Sequence, residues 1–178
     1  MTEQPHAAAA RGGGFWSNLP EMWRAAIVLA ALALATRALI FGNPAIHVDD
    51  QFYLLVGQRL TEGYLPYVDL WDRKPVGLFL IYALANWLFP DPVVGYQLIA
   101  ALCVVLTSLI LFAMARRVTG FAAALGGAAA YPAWLLLFGG VGGQSPVFYN
   151  LPMAAAAAWT MALAARPGSR RLTAQGCA

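Results

Sequence analysis

Asp49 and Asp50 stand side by side, Tyr53 follows Asp49 by one helical turn, and the cations Arg73 and Lys74 come about 25 residues later. A fixed carboxylate can accept a proton from a hydroxyl or help to hold a cation, and adjacent cations suit a phosphate. All of them lie in "IHVDDQFYLLVGQRLTEGYLPYVDLWDRKP", Ile46 to Pro75, which holds Asp49, Asp50, Glu62, Asp69 and Asp72. Outside it the only acidic residues are Glu3, Glu21 and Asp91. The chain as a whole is 61% hydrophobic and 11% charged, against roughly a quarter charged in a soluble domain. A greasy protein has collected its carboxylates in one stretch.

Local chemistry positions these groups. "DDQFYLLVGQRLTEG" predicts a short helix, with Asp49 as its N-cap and Gly63 as its C-terminal stop. Phe52, Leu55, Val56 and Leu60 fall at helical spacing and face lipid or protein, while Asp49 and Tyr53 share the neighbouring face. At a helix start Asp49 meets backbone N–H donors and the positive end of the helix dipole, which keep it ionised. It is then either a general base, a cation ligand (with Asp50 for a divalent ion), or simply a cap at a membrane surface. Asp50, Glu62 and Asp69 read as solvated loop charges, and His47 as an interfacial loop residue. Arg73 and Lys74 precede Pro75 and a short apolar run, where cations and free N–H groups favour a phosphate. Their ordinary alternatives are charge balance with Asp69 and Asp72, or contact with lipid headgroups. Arg37 closes the first apolar run; it either snorkels outward to an aspartate or joins a substrate phosphate.

The elements that must carry this loop predict an all-α polytopic membrane protein with about four transmembrane helices and two juxtamembrane surface helices. The expected spans are Trp23–Phe41, Val93–Ala115, Val118–Phe138 and Phe148–Ala165, near the ~20 residues a bilayer requires. Val76–Phe89 covers only about 21 Å and ends in Pro90-Asp91-Pro92. If it does not cross, Arg11, Arg24, Arg116, Arg117, Arg166, Arg170 and Arg171 all fall on the cytoplasmic side, as the positive-inside rule prefers. Residues 1–22 then form a flexible cytoplasmic N-terminus, residues 23–165 the membrane part with an extracytoplasmic loop at 42–92, and residues 166–178 a cytoplasmic tail. The polar leader before an Ala/Leu-rich run imitates a signal peptide, but its length and Arg37 beyond the apolar centre favour an uncleaved first helix. Trp16, Trp23 and Trp87 suit interfacial positions.

Other signals are excluded or bland. The arginines come in separate short clusters, which argues against nucleic acid, and Cys103 and Cys177 imply no disulfide framework or metal-ligand spacing. "GGVGGQSP" follows an apolar helix and lacks a Gly-Lys-Ser/Thr ending, so it is an outer turn and not a nucleotide loop. Gln144, Ser145 and Asn150 can touch a polar ligand there. The Ala-rich runs supply close helix packing, and Pro132 is expected to kink the third span. Abundant Ala, Gly, Pro and Arg fit a bacterial coding style, hence a bacterial inner membrane.

A first helix ending in an Arg-containing turn, followed by "DDQFYLLVGQRLTEGYLPYVDLWDRKPVGLFLIYAL" and "RRVTGFAAALGGAAAY", resembles the start of GT-C membrane glycosyltransferases. The branch it is most similar to contains protein mannosyltransferases and aminoarabinose transferases, which use polyprenyl-phosphate sugars. The resemblance implies that Asp49 matches the catalytic aspartate, Asp50 its acidic neighbour, Tyr53 the tyrosine one turn later and Lys74 the lysine on the donor phosphate. Asp72 approximates the acid before that lysine, with Arg73 intervening, and Phe52 stands where some members carry an arginine. The implied reaction is an inverting displacement outside the cytoplasm, from a polyprenyl-phosphate sugar donor to a lipid, glycan or protein acceptor, among membrane lipids. No metal or other cofactor is demanded, though the Asp49/Asp50 pair could hold a divalent cation through its oxygens.

Members of that family continue for several hundred residues. Against that length the expectation is an N-terminal fragment, or a truncated or frameshifted relative, too short to be active alone. A non-catalytic membrane scaffold or assembly subunit of the same fold is the alternative. Transport is disfavoured because the charges cluster in the loop, with only Arg37 near apolar sequence.

Overall fold

The computed structural model describes residues 18–165. Arg11, Trp16, Arg166, Arg170, Arg171, Cys177 and the terminal segments assigned above to the cytoplasm lie largely outside that range. Among the described residues the fold is all-helical, its one β feature being an isolated bridge between Pro66 and Leu70. The helices are α1 (Glu21–Arg37), α2 (Val48–Thr61), α3 (Val76–Leu88), α4 (Pro92–Ala115), α5 (Phe121–Leu137) and α6 (Ser145–Ala164).

Local chemistry accounts for most boundaries. Gly63, at φ 94°, closes α2 in a Schellman motif: its N–H donates to Leu60 O at 3.2 Å, and Tyr64 N–H to Arg59 O at 3.0 Å. Pro75 precedes the first residue of α3. Asp91 caps α4, its Oδ1 accepting from Val93 N at 2.9 Å and Val94 N at 3.3 Å, with Pro92 opening the helix. Asp49, expected as the cap of α2, is instead inside its first turn; His47 occupies the cap position and makes no side-chain cap bond. The buried face of α2 is Asp50, Tyr53, Val56 and Gly57, whereas Leu55 faces outward.

Two helices, α4 and α6, are long and apolar enough to cross a membrane. The other two expected spans are shorter than their apolar runs: α1 and α5 have 17 residues each, about 25 Å of helix against a ~30 Å hydrocarbon core. Past Arg37 the chain continues as turns to Gly42, at φ 78°. Pro132 sits buried within α5 and Pro152 exposed within α6, and neither ends its helix.

α4 is the hub, packing against α1, α3, α5 and α6. At one end, Arg116 at the close of α4 pairs with Glu21 at 2.8 Å, and Arg24 lies 4.8 Å over the ring of Phe121. At the other, Gly42 N–H donates to Gln97 Oε1 at 2.7 Å and Gln97 Nε2 to Asn43 O at 3.0 Å. α1 and α4 therefore run antiparallel. Arg24, Arg116 and Arg117 gather at one end, while the carboxylate-rich loop lies at the other.

That loop is not laid loosely on the bundle. α3 buries Leu78, Phe79, Tyr82 and Ala85 between α2 and α4. Tyr82 packs edge-on to Tyr53 with centroids 5.7 Å apart and meets Tyr96 at 4.7 Å. Gly57 allows the closest approach of α2 to α3, since a Cβ there would stand 2.7 Å from Ala83 N. By contrast α6 buries only Ser145, Val147 and Phe148, leaving Met153 and Trp159 exposed.

Candidate functional site

The start of α2 and the loop leading into α3 border an open cavity of about 290 Å³, lined by Asp49, Phe52, Tyr53, Trp71, Asp72, Arg73 and Lys74. Asp49 is exposed and Tyr53 almost wholly buried, and the Tyr53 hydroxyl donates to Asp49 Oδ2 at 3.4 Å. The Lys74 ammonium lies 5.8 Å from the Tyr53 ring centre, on its face, where the ring quadrupole attracts a cation. Burial pushes the Tyr53 phenol up, with Lys74 partly offsetting it, so the hydroxyl remains a donor at neutral pH.

The loop holds its cations by its own backbone chemistry. Asp72 Oδ1 accepts from Arg73 N–H at 2.5 Å and Lys74 N–H at 3.3 Å, an Asx-type turn. Tyr67, at the left-handed φ of 70°, donates its hydroxyl to Lys74 O at 2.6 Å and rests its ring against Phe79. Asp69 accepts from Leu65 N–H at 2.8 Å, and Glu62 pairs with Arg59 at 2.7 Å on the exposed side of α2. Neither Arg73 nor Lys74 joins an ion pair among the described residues, whose two salt bridges are Arg59–Glu62 and Arg116–Glu21. Two cationic side chains therefore line the cavity with no ion pair among the described residues.

Asp50 and Arg37 are elsewhere. Asp50 has no exposed surface: Oδ2 accepts from Gly143 N–H at 2.9 Å, and Oδ1 from Gln144 Nε2 at 2.8 Å. Reading it as a solvated loop charge is thus corrected. Burial pushes its carboxyl above the ordinary range, against the pull of the Gly143 bond, nearby His47 and the Gln144 bond. Arg37 is 3% exposed and donates to three successive carbonyls, Gly140 at 2.8 Å, Val141, and Gly142 at 3.2 Å. It pairs with no aspartate and does not reach the cavity. The Tyr82 hydroxyl completes this network by donating to Gly143 O at 2.9 Å.

Adjacent helical residues point about 100° apart. Asp49 opens to the cavity while both oxygens of Asp50 are engaged by N–H donors. The two carboxylates therefore face different surroundings and do not converge on one point. Among the described residues no group of three His, Cys, Asp or Glu side chains gathers either.

The structure thus brings together Asp49, Tyr53, Asp72, Arg73 and Lys74, and commits the side chains of Asp50 and Arg37 to the turn between α5 and α6. Sequence reasoning missed Trp71, whose signal was an apolar ring flanked by charges in "DLWDRK". It also missed Gly142 and Gly143: a Cβ at the first would collide with Asp50 Oδ2, and one at the second would sit 2.7 Å from Tyr96 Cδ2. Gln144 binds Asp50, and Asn150 donates to the Tyr131 hydroxyl at 3.1 Å, so both make protein contacts. No family model, curated protein or solved structure matches the chain.

Proposed function

We propose that this chain carries the general-base and donor-phosphate elements of an integral-membrane glycosyltransferase acting on the extracytoplasmic face with a polyprenyl-phosphate sugar. The observation that carries the reading is the single cavity joining Asp49 and Tyr53 to Arg73 and Lys74 across more than a dozen residues of intervening chain. Asp49 accepts the proton of an acceptor hydroxyl as that oxygen bonds to the sugar's anomeric carbon. The bond from that carbon to the phosphate oxygen breaks, and Lys74 with Arg73 stabilises the phosphate charge that develops. Tyr53 orients the Asp49 carboxylate. Asp72 ties the two cations to one turn.

In this reading α1, α4, α5 and α6 cross the inner membrane and α2 with α3 lie at its outer side. The antiparallel course of α1 and α4, with Glu21 and Arg116 at one end, supports an uncrossed α3, because a crossing α3 would set α1 and α4 parallel. The N-terminus is then cytoplasmic and residues 42–92 extracytoplasmic, as the charge distribution favours. A non-catalytic scaffold of the same helices is the second reading, favoured by the exposed apolar side chains of α6, which suit contact with another subunit as well as lipid.

Binding separates the two. The emission of Trp71, isolated by comparison with W71F in lipid nanodiscs, should change saturably when polyprenyl phosphate is added. Losing a charge-assisted contact costs about 1.5–3 kcal/mol, so K74Q should weaken binding by about 10- to 100-fold. D49N should bind normally and abolish sugar transfer by membranes carrying the protein. Absence of saturable binding, or transfer by D49N at the wild-type rate, refutes the enzymatic reading.

A further inference from the structure

We infer that Asp50 and Arg37 are positioning residues that clamp the glycine-rich turn 140–144 from its two sides and so hold the start of α2, with Asp49 and Tyr53, against the α5–α6 connection. The clamp stands on geometry alone; only what it positions, a phosphate-binding cavity, rests on the function proposed above.

The turn is short, buried and polar, so its backbone groups need partners. Arg37, from the end of α1, takes the carbonyls of Gly140, Val141 and Gly142, and Tyr82, from α3, takes that of Gly143. Asp50, from α2, takes the Gly143 N–H and the Gln144 side chain. Three segments far apart in the chain thus meet on one turn. The missing side chains of Gly142 and Gly143 are what admit Asp50 and Tyr82 so closely. Asp50 is one residue from Asp49, so whatever fixes its carboxylate also fixes the rotation of α2 that aims Asp49 and Tyr53 into the cavity. Being wholly buried with both oxygens occupied, Asp50 is not itself in reach of a substrate.

A two-sided clamp predicts a particular non-additivity. Once either side is removed the turn is released, and removing the other side changes little more. The test is hydrogen–deuterium exchange of the peptide covering residues 139–145 in the nanodisc-embedded protein. D50L and R37Q should each accelerate exchange by about tenfold or more, and the double variant no further than the faster single. D50N keeps an oxygen for the Gly143 N–H and should stay within a few-fold of wild type, a rescue that simple loss of packing would not give. If D50L does not accumulate, Q144L and R37Q carry the same comparison. Fast exchange of this peptide in the wild type, or multiplying effects of the two single variants, overturns the clamp.

The same variants titrated with polyprenyl phosphate through Trp71 tell the two claims apart. D50L binding weakened by about tenfold with D50N near wild type supports positioning. D50L binding like wild type despite a released turn refutes it. If the wild type itself does not bind, the proposed function fails while the exchange result still decides the clamp.

Discussion

Gly57→Ala tests the packing that builds the cavity wall. A Cβ at Gly57 would sit 2.7 Å from Ala83 N and Tyr82 C, and 2.8 Å from Tyr82 Cβ. Two of those atoms are backbone, so no rotamer change relieves the clash. Restoring an ordinary 3.4 Å contact from 2.7 Å requires α2 and α3 to part by about 0.7 Å. Overpacking of this kind costs about 1–3 kcal/mol, and the backbone contact places it in the upper half of that range. Against it, alanine in a helix interior gains about 0.8–1 kcal/mol over glycine. The net expectation is a loss of about 1–2 kcal/mol. Gly77→Ala supplies the control: it lies in α3 with nothing within 4 Å of its Cβ, so it should show only the gain. Unfolding free energies from sodium dodecyl sulfate titration in mixed micelles measure both. Gly57→Ala unfolding at or above the wild-type midpoint would mean that the α2–α3 contact is not as close as described. The displacement should also disturb Lys74 over Tyr53, which starts at 5.8 Å.

Two further outcomes follow from charge. Asp50 is pushed up by burial, so its folded pKa exceeds the unfolded value of about 3.9. Its contribution is then fully present below the unfolded pKa and lost as pH rises through the raised folded one. The groups acting on Asp50 are the Gly143 and Gln144 bonds, His47 and the nearby Tyr82 hydroxyl, with the Arg37 guanidinium within electrostatic range. Compared with D50N, which does not titrate, the wild type should lose thermal stability as pH rises above about 4; parallel curves refute the buried assignment. For topology, a cysteine at exposed Glu62 should react with an impermeant maleimide in intact cells, and one at exposed Thr119 only after lysis. The reverse pattern overturns the orientation.

How much of this was legible in the sequence varies with the range of the physics involved. Helix ends were readable where a local rule acts: Gly63 must adopt φ 94°, and Asp91-Pro92 starts α4 through the cap it makes two and three residues on. The i, i+4 pairing of Asp49 with Tyr53 follows from helical geometry and appears as a hydrogen bond. Local rules failed at the start of α2, where two acidic residues compete for the cap and neither takes it. They also overstated the apolar runs around α1 and α5, because hydropathy measures composition and not where the helix unwinds.

By itself the sequence determined that the chain is helical, strongly apolar and armed with one charged loop, since these depend on residue type and on neighbours within a few positions. Only the tertiary structure decided which charges meet. Asp49 and Asp50 are chemically identical neighbours, yet one faces a cavity and the other is buried against Gly143 and Gln144, over ninety residues away. Arg37, apolar in its surroundings, finds three carbonyls of that same turn in place of an aspartate. A side chain's environment is set by what packs on it, and the glycines that permit such packing carry no side chain to announce it.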